Sequence, residues 1–218
     1  MKNQTEERYW SRIAESYDRD GEYVVGRRIV QLIEEALLNE KSLGNVLECG
    51  CGTGYFTKAI ASNARNVVAC DISNEMLEVA RVQLREFKNV TIQKADCRNT
   101  SFPAESFDSV FLVNLIHVVD NPLEHLRESH RILRDKGTLI VVDFTGYRLS
   151  FTKKMMLVLR YMRTWGPPPS RGQNNMTPEE LGTLVEQAGF QVERVQLLAD
   201  GANALYSKGK RSSKPSLQ

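Results

Sequence analysis

The run Val46-Leu47-Glu48-Cys49, followed at once by Gly50, Gly52 and Gly54, leaves few folds open to this chain. Four residues without a turn former read as a buried strand, and alternate glycines after it read as a sharp turn into a helix. Glycine at such a turn removes side chains, so that a ligand can approach the backbone closely. The helix that follows begins with its amide groups facing the same crevice, at the carboxyl edge of a sheet. A nucleotide-like ligand is the physical expectation. Taken alone, a tight strand-to-helix turn with no ligand would explain the glycines equally well.

The rest of the chain repeats the alternation of strand and helix. Strands are predicted at Asn45–Cys49, Val67–Asp71, Val90–Lys94, Phe107–Asn114 and Thr138–Phe144, with helical patterns between them. That order specifies a parallel sheet with crossover helices. Two late strands, near Phe190–Leu198 and Ala202–Lys208, are separated only by a turn at Asp200-Gly201, too short for a parallel crossover. They are expected to form an antiparallel hairpin, so the sheet is mixed. Before the first strand, Val25, Ile29, Leu32, Ile33, Ala36 and Leu37 make an apolar helical stripe. Asn121-Pro122-Leu123-Glu124 and Thr177-Pro178-Glu179-Glu180 both carry helix-start chemistry, and Gly189 is a natural stop.

At 218 residues the chain suits one α/β domain with a core of ordinary size. A net charge of +2 is too mild to argue for nucleic acid. The opening MKNQTEERYW is charged and no secretory signal. No run reaches the roughly 20 apolar residues of a membrane span; the longest, Val110 to Val119, is broken by Asn114 and His117. The four cysteines resemble no disulfide framework, so a reducing cytoplasm is expected.

Three features sharpen the ligand. Asp71 ends the second strand about 20 residues after the turn, where a carboxylate accepts bonds from ribose hydroxyls. Asp96 lies just past the third strand, at the same edge, where a carboxylate can accept from an exocyclic amine. Tyr55 stands where a dinucleotide fingerprint requires a third glycine, which disfavours a pyrophosphate and with it a nicotinamide enzyme. A nucleoside ligand without a diphosphate fits best.

The ordered series VLECGCGTG, VVACDIS, KADCRNTSFPAESFDSVFLVNLIHVVDNP and HRILRDKGTLIVVDF resembles the small-molecule branch of class I S-adenosylmethionine-dependent methyltransferases, in particular the ubiquinone/menaquinone C-methyltransferase-like proteins. The resemblance covers roughly residues 9 to 207. It implies a Rossmann-like, seven-stranded mixed sheet with helices on both faces and a C-terminal antiparallel hairpin. It also implies S-adenosyl-L-methionine as cofactor. Glu48 and the segment Gly50, Cys51, Gly52 and Gly54 would surround its methionine part. Asp71 would hold the ribose, with Ile72 against the adenine, Asp96 on the adenine amine and the Cys97 amide on a ring nitrogen. Asn114 would sit beside the sulfonium through its carbonyl. The segment YWSRIAESYD resembles the family's lid, so residues 1–44 would cover the cofactor, with Tyr17 closing over the methionine. The core would span 45–208, with 145–176 an insertion over the acceptor and 209–218 a disordered tail.

Methyl transfer from a sulfonium is an in-line displacement that needs no triad, and none is evident. An alcohol, phenol or carbon acceptor requires a general base. His117, just past the fourth strand, is the candidate; a locally bonded structural role is the plainer reading. His125 and His130 lie within the helix begun by Pro122 and read as surface or packing residues. Cys49, Cys51, Cys70 and Cys97 fall at strand ends and some should come together, but small buried thiols are ordinary there and no metal is expected. No acid occurs between Phe144 and Pro178, whereas Arg148, Lys153, Lys154, Arg160, Arg163 and Arg171 do, interleaved with Met155, Met156, Leu157, Leu159, Met162 and Trp165, before Gly166-Pro-Pro-Pro169. Such a segment suits an apolar, anionic small-molecule acceptor, contacted by Arg160 and Trp165, or a peripheral contact with an anionic membrane; an ordinary amphipathic helix with a solvated basic face fits as well. No basic-aromatic nucleic-acid module is present, nor an Asn-Pro-Pro-Tyr-type motif at Asn114. A catalytically silent protein that keeps the cofactor site is the competing function. Neither the acceptor nor an oligomeric state is written in these motifs.

Overall fold

The short apolar runs fold as strands covered on both faces, the pattern a parallel sheet between helices demands. The computed structural model describes residues 2–168 and 175–212. Five parallel strands, β1 (Asn45–Cys49), β2 (Asn66–Asp71), β3 (Val90–Lys94), β4 (Phe107–Val113) and β5 (Leu133–Thr145), are followed by β6 (Phe190–Asp200) and β7 (Ala202–Arg211). The order across the sheet is β3-β2-β1-β4-β5-β7-β6, with β7 antiparallel to both neighbours. The chain runs outward from β1 to β3 and then returns to the other side of β1. That reversal opens a crevice at the carboxyl ends of β1 and β4.

Alternation of side chains sends Val46 to one face and Leu47 to the other. On the first face Ile29, Ile33 and Leu37 of α3 (Arg27–Leu38) and Ile60 of α4 (Thr57–Ala61) pack with Phe111 and Tyr206. On the second, Leu126 of α6 (Pro122–Ile132) and Leu181 and Val185 of α8 (Pro178–Gln187) pack on Leu112 and Leu139. A smaller cluster lies over the carboxyl edge of the sheet. There Ile13 of α1 (Lys2–Ile13) and Val24 of α2 (Tyr17–Val25) meet Met76 of α5 (Asn74–Gln83) and Trp165 of α7 (Phe151–Trp165). The N-terminal helices are thus joined to the segment after β5 by apolar contact.

All seven strands stand where the apolar runs put them, with boundaries moved by tertiary contacts. β5 begins at Leu133 rather than Thr138, because Phe107 pairs with Leu133 across a register shift. β4 stops one residue early, since Asn114 turns to φ +56°. β7 reaches Arg211, so residues 209–211 belong to the sheet and not to a tail: Arg211 Nη1 donates to the Leu133 carbonyl at 2.7 Å and to Glu105 at 2.8 Å. Residues 213–218 of the expected tail lie outside the described residues. Val25 belongs to α2, because Gly26, at φ +95°, ends that helix before α3 starts.

The two helix starts differ. Asn121 makes no side-chain cap, and its amide donates to Glu124 Oε1 at 2.8 Å instead. Thr177 forms a full capping box: its hydroxyl accepts from the Glu180 amide at 3.1 Å, and Glu180 accepts from the Thr177 amide at 2.8 Å. Thr177→Ala should therefore lower stability by about 1 kcal/mol, read as a shift of the urea midpoint with unchanged slope.

Candidate active site

The glycine turn is pinned to the end of β2. The amides of Gly50 and Cys51 both donate to the Cys70 carbonyl, at 2.8 and 2.9 Å. The Gly52 amide donates to Asp71 Oδ2 at 3.0 Å, and the Ser73 amide donates to Asp71 Oδ1 at 2.9 Å. The three glycines serve different ends. All have positive φ, but only at Gly52 is the space open, with no atom nearer than Met76 Sδ at 4.0 Å from a built Cβ. A Cβ at Gly54 would lie 2.6 Å from Leu84 Cδ1, and one at Gly50 2.9 Å from Leu115 Cδ1. Gly54 is therefore glycine so that the turn can pack on α5. Of these glycines Gly52 alone leaves open space above the backbone, whereas Gly54 is required by packing.

Above the turn lies a cavity of about 560 Å³ that crosses the carboxyl edge of the sheet from the end of β3 to β5, roofed by the N-terminal helices and α7. Of the residues expected to hold cofactor, Gly50, Cys51, Gly52, Asp71, Ile72, Asp96, Cys97 and Asn114 line it. Tyr17, His117 and Trp165 line it as well. Glu48, Gly54 and Arg160 do not. Glu48 is buried behind the turn and accepts from Thr57 Oγ1 at 2.5 Å. The Arg160 guanidinium lies over the Tyr23 ring, 5.5 Å from its centre, and Nη1 donates to the Tyr23 carbonyl at 3.4 Å. The cation of this segment that reaches the cavity is Lys154. Arg171 and Pro169 lie outside the described residues.

Each acid has a distinct electrostatic setting. Burial pushes Asp71 up to about 6, against the lowering effect of the Ser73 and Gly52 amides. Asp96 is held below the ordinary carboxylate range by Arg98, which grips it through Nε at 3.0 Å and Nη2 at 2.7 Å. Burial pushes Glu48 up to about 8.

Several functional contacts are between residues far apart in sequence. Asp143, near the end of β5, is buried and accepts the Ile116 amide at 2.6 Å, the His117 amide at 3.3 Å and the His117 ring through Nδ1. This leaves Nε2 of His117 as the ring atom available to a substrate. Asp18 of the N-terminal segment accepts from Thr53 Oγ1 at 2.5 Å and from Gln83 Nε2 at 2.6 Å, fastening that segment to the glycine turn. Tyr17 stacks on Trp165 with ring centres 5.4 Å apart, and Tyr9 and Tyr161 share a hydroxyl bond of 2.8 Å. Asp143 was visible only as the one acid of the run Val141-Val142-Asp143-Phe144. Asp18 carried no signal beyond its place in the lid segment.

The remaining histidines separate. His125 is a buried cavity-lining residue, not a surface one; its Nδ1 meets the Asn121 carbonyl at 3.2 Å, and burial lowers its pKa. His130 packs edge-on against Phe190, as a packing residue should. Three thiols gather as expected: Cys49, Cys70 and Cys97 lie with their sulfurs within 4.8 Å of one another, and Cys70 and Cys97 are 3.4 Å apart.

The site suits an adenosyl ligand on observations of its own: an open glycine, an ionisable carboxylate facing the cavity, and a buried Asn114 Oδ1 without a hydrogen-bond partner. Comparison with known proteins agrees. Residues 47–141 match a methyltransferase domain. Solved structures of SAM-dependent methyltransferases from Thermotoga maritima (TM-score 0.70, 23% identity, 94% of this chain and 99% of that one) and Aquifex aeolicus (0.60, 22%, 82% and 88%) share the fold. The chain is a class I S-adenosylmethionine-dependent methyltransferase. It is 28% identical to the demethylmenaquinone methyltransferase of Tropheryma whipplei over 90% of this chain and 88% of that one. It is also 31% identical to a ubiquinone/menaquinone biosynthesis C-methyltransferase of Citrifermentans bemidjiense over 51% and 50%.

The buried acid behind the turn makes a pH test. With Glu48 at about 8 in the folded chain and about 4.3 when unfolded, the fold prefers the protonated acid, so its contribution is full below about pH 4 and is lost as pH rises through about 8. Glu48→Gln keeps an acceptor for Thr57 without that titration. Its thermal midpoint should vary less between about pH 5 and 8 than the parent's and should exceed it at the upper end.

Proposed function

We propose that this methyltransferase acts in the cytoplasm on an apolar phenolic acceptor of the hydroquinone class, with His117 as general base. The observation that carries the reading is the His117–Asp143 pair on the wall of the cavity shared by Asp71 and the lining of α7. The names of the relatives, which methylate demethylmenaquinone or belong to ubiquinone and menaquinone biosynthesis, supply the acceptor class.

S-adenosylmethionine, when bound, supplies an electrophilic methyl group on a sulfonium. The residues of the chain do the rest. Asp71 accepts the ribose hydroxyls and must be ionised to do so. Asp96, kept charged by Arg98, accepts the adenine amine, with Ile72 and the Cys97 amide beside the ring. Asn114 and the open backbone at Gly52 face the methionine part, and Tyr17 closes over it. Asp143 fixes the His117 tautomer with its proton on Nδ1, so Nε2 would take the proton of the acceptor hydroxyl; the phenolate would then take the methyl group at oxygen, or at the adjacent ring carbon with loss of that carbon's proton to water, and S-adenosylhomocysteine would leave. Lys154 draws the developing phenolate toward the cavity, and Trp165, Leu157 and Tyr161 contact its apolar body and exclude water. Glu48 supports the turn from behind through Thr57, and Arg160 braces α7 on Tyr23. The three buried thiols are packing residues in this scheme. A silent binding protein is the poorer reading, since it leaves the His117–Asp143 pair without a task.

Asp71→Ala should keep a single cooperative urea transition, with a midpoint lowered by loss of the Gly52 and Ser73 amide bonds, and weaken S-adenosylhomocysteine binding on the order of 10- to 100-fold by calorimetry. In the parent the affinity should fall as pH drops through about 6, where Asp71 takes up its proton, and the variant should lack that dependence. Unchanged affinity in the variant would sink the cofactor geometry.

His117→Ala should keep S-adenosylhomocysteine affinity within about twofold while lowering turnover of a short-chain naphthohydroquinone by roughly 100-fold or more. Asp143→Asn should lower kcat with little change in KM or in S-adenosylhomocysteine affinity, as expected of a positioning residue. Undiminished turnover in the His117 variant would make that residue structural.

A further inference from the structure

α7 presents to solvent the side chains that an amphipathic helix normally hides. Phe151, Met155, Val158, Leu159 and Met162 are 76, 45, 56, 51 and 45% exposed. At 100° per residue they fall within an arc of roughly 100°. Lys154 borders that arc on one side and Arg163 on the other, with Lys153 and Arg160 further round. Met156 and the exposed Tyr23 of α2, under the Arg160 guanidinium, extend the patch. The helix is nevertheless firmly held: Trp165 is buried against Tyr17, and its carbonyl accepts from Arg12 Nη2 at 2.7 Å. A rigid helix with an outward apolar stripe and cationic borders is built to seat on something.

We infer that α7 docks this enzyme on an anionic lipid bilayer, with the stripe in the boundary between headgroups and acyl chains and the exposed Lys153 and Arg163 on lipid phosphates. Two observations choose the bilayer over a second copy of the chain. No acid lies between Phe144 and Pro178 to meet the cations, so two copies face to face would oppose like charges across the stripe. Apolar centre and basic edge are what an interfacial helix presents to anionic lipid, with long cationic side chains reaching to the phosphates. In addition, Val158 and Met162 belong both to the exposed stripe and to the cavity wall. The mouth of the cavity therefore opens along the face that meets the membrane, and an apolar acceptor passes from lipid to His117 without crossing water. This last step rests on the acceptor class proposed above; the docking itself does not.

The test is vesicle sedimentation of the full chain with phosphatidylcholine alone and with about 30% phosphatidylglycerol, at low salt and at about 0.5 M salt. The parent should partition to the anionic vesicles at least about tenfold more than to the neutral ones, and salt should reduce the binding. The variant Phe151→Ser/Met155→Ser/Leu159→Ser touches no cavity-lining residue, so it should keep S-adenosylhomocysteine affinity and lose vesicle binding about tenfold. Equal partition to both lipids, or no loss in the variant, would overturn the proposal. So would a dimer in sedimentation equilibrium that the variant dissolves. Methylation of a water-soluble hydroquinone without vesicle binding would reject the docking alone, whereas vesicle binding without methylation would reject the acceptor class and leave the docking standing.

Discussion

Three backbone amides of the glycine turn point at the end of β2, two into the Cys70 carbonyl and one into the Asp71 carboxylate. The rest of the site depends on this small junction. It fixes the separation of β1 and β2 at the floor of the cavity, and it orients the Asp71 carboxylate there. It also places that carboxylate in a setting dry enough to raise its pKa. Gly52 remains open because the turn is held from the β2 side, and Gly54 packs on α5 so that the turn cannot relax away from it.

The N-terminal helices are held to this junction by polar and aromatic contacts rather than by sheet pairing. Asp18 reaches Thr53 and Gln83, Tyr17 stacks on Trp165, and Tyr9 meets Tyr161. Cofactor and acceptor ends of the cavity therefore share one roof: residues near the N-terminus touch both the glycine turn and α7. Movement of α7 at a membrane would be transmitted to the cavity-lining Tyr17 through a stacked ring pair.

Much of the fold was legible because strands buried on both faces need continuous apolar runs, and glycines and prolines mark where they end. Those local constraints located all seven strands and the hairpin. They missed boundaries decided by partners distant in sequence. Leu133 is strand because Phe107 pairs with it, and residues 209–211 are sheet because β6 and Leu133 receive them. Asn121 has the composition of a cap but makes none, because its amide donates to the Glu124 side chain instead.

For the site, the sequence alone determined the ligand class. A glycine turn, acids at successive strand ends and Tyr55 in place of a third glycine are local features, and strand ends on one sheet edge must converge. The acceptor side was decided by tertiary structure. Whether a cation of α7 faces the cavity or solvent depends on how the helix is rotated about its axis, and packing of Trp165 and Tyr161 against the lid sets that rotation, so Lys154 lines the cavity and Arg160 turns to Tyr23. His117 likewise has a defined tautomer only because β5 brings Asp143 beside it. Periodicity can say that a helix has two faces; only its neighbours decide which one is buried.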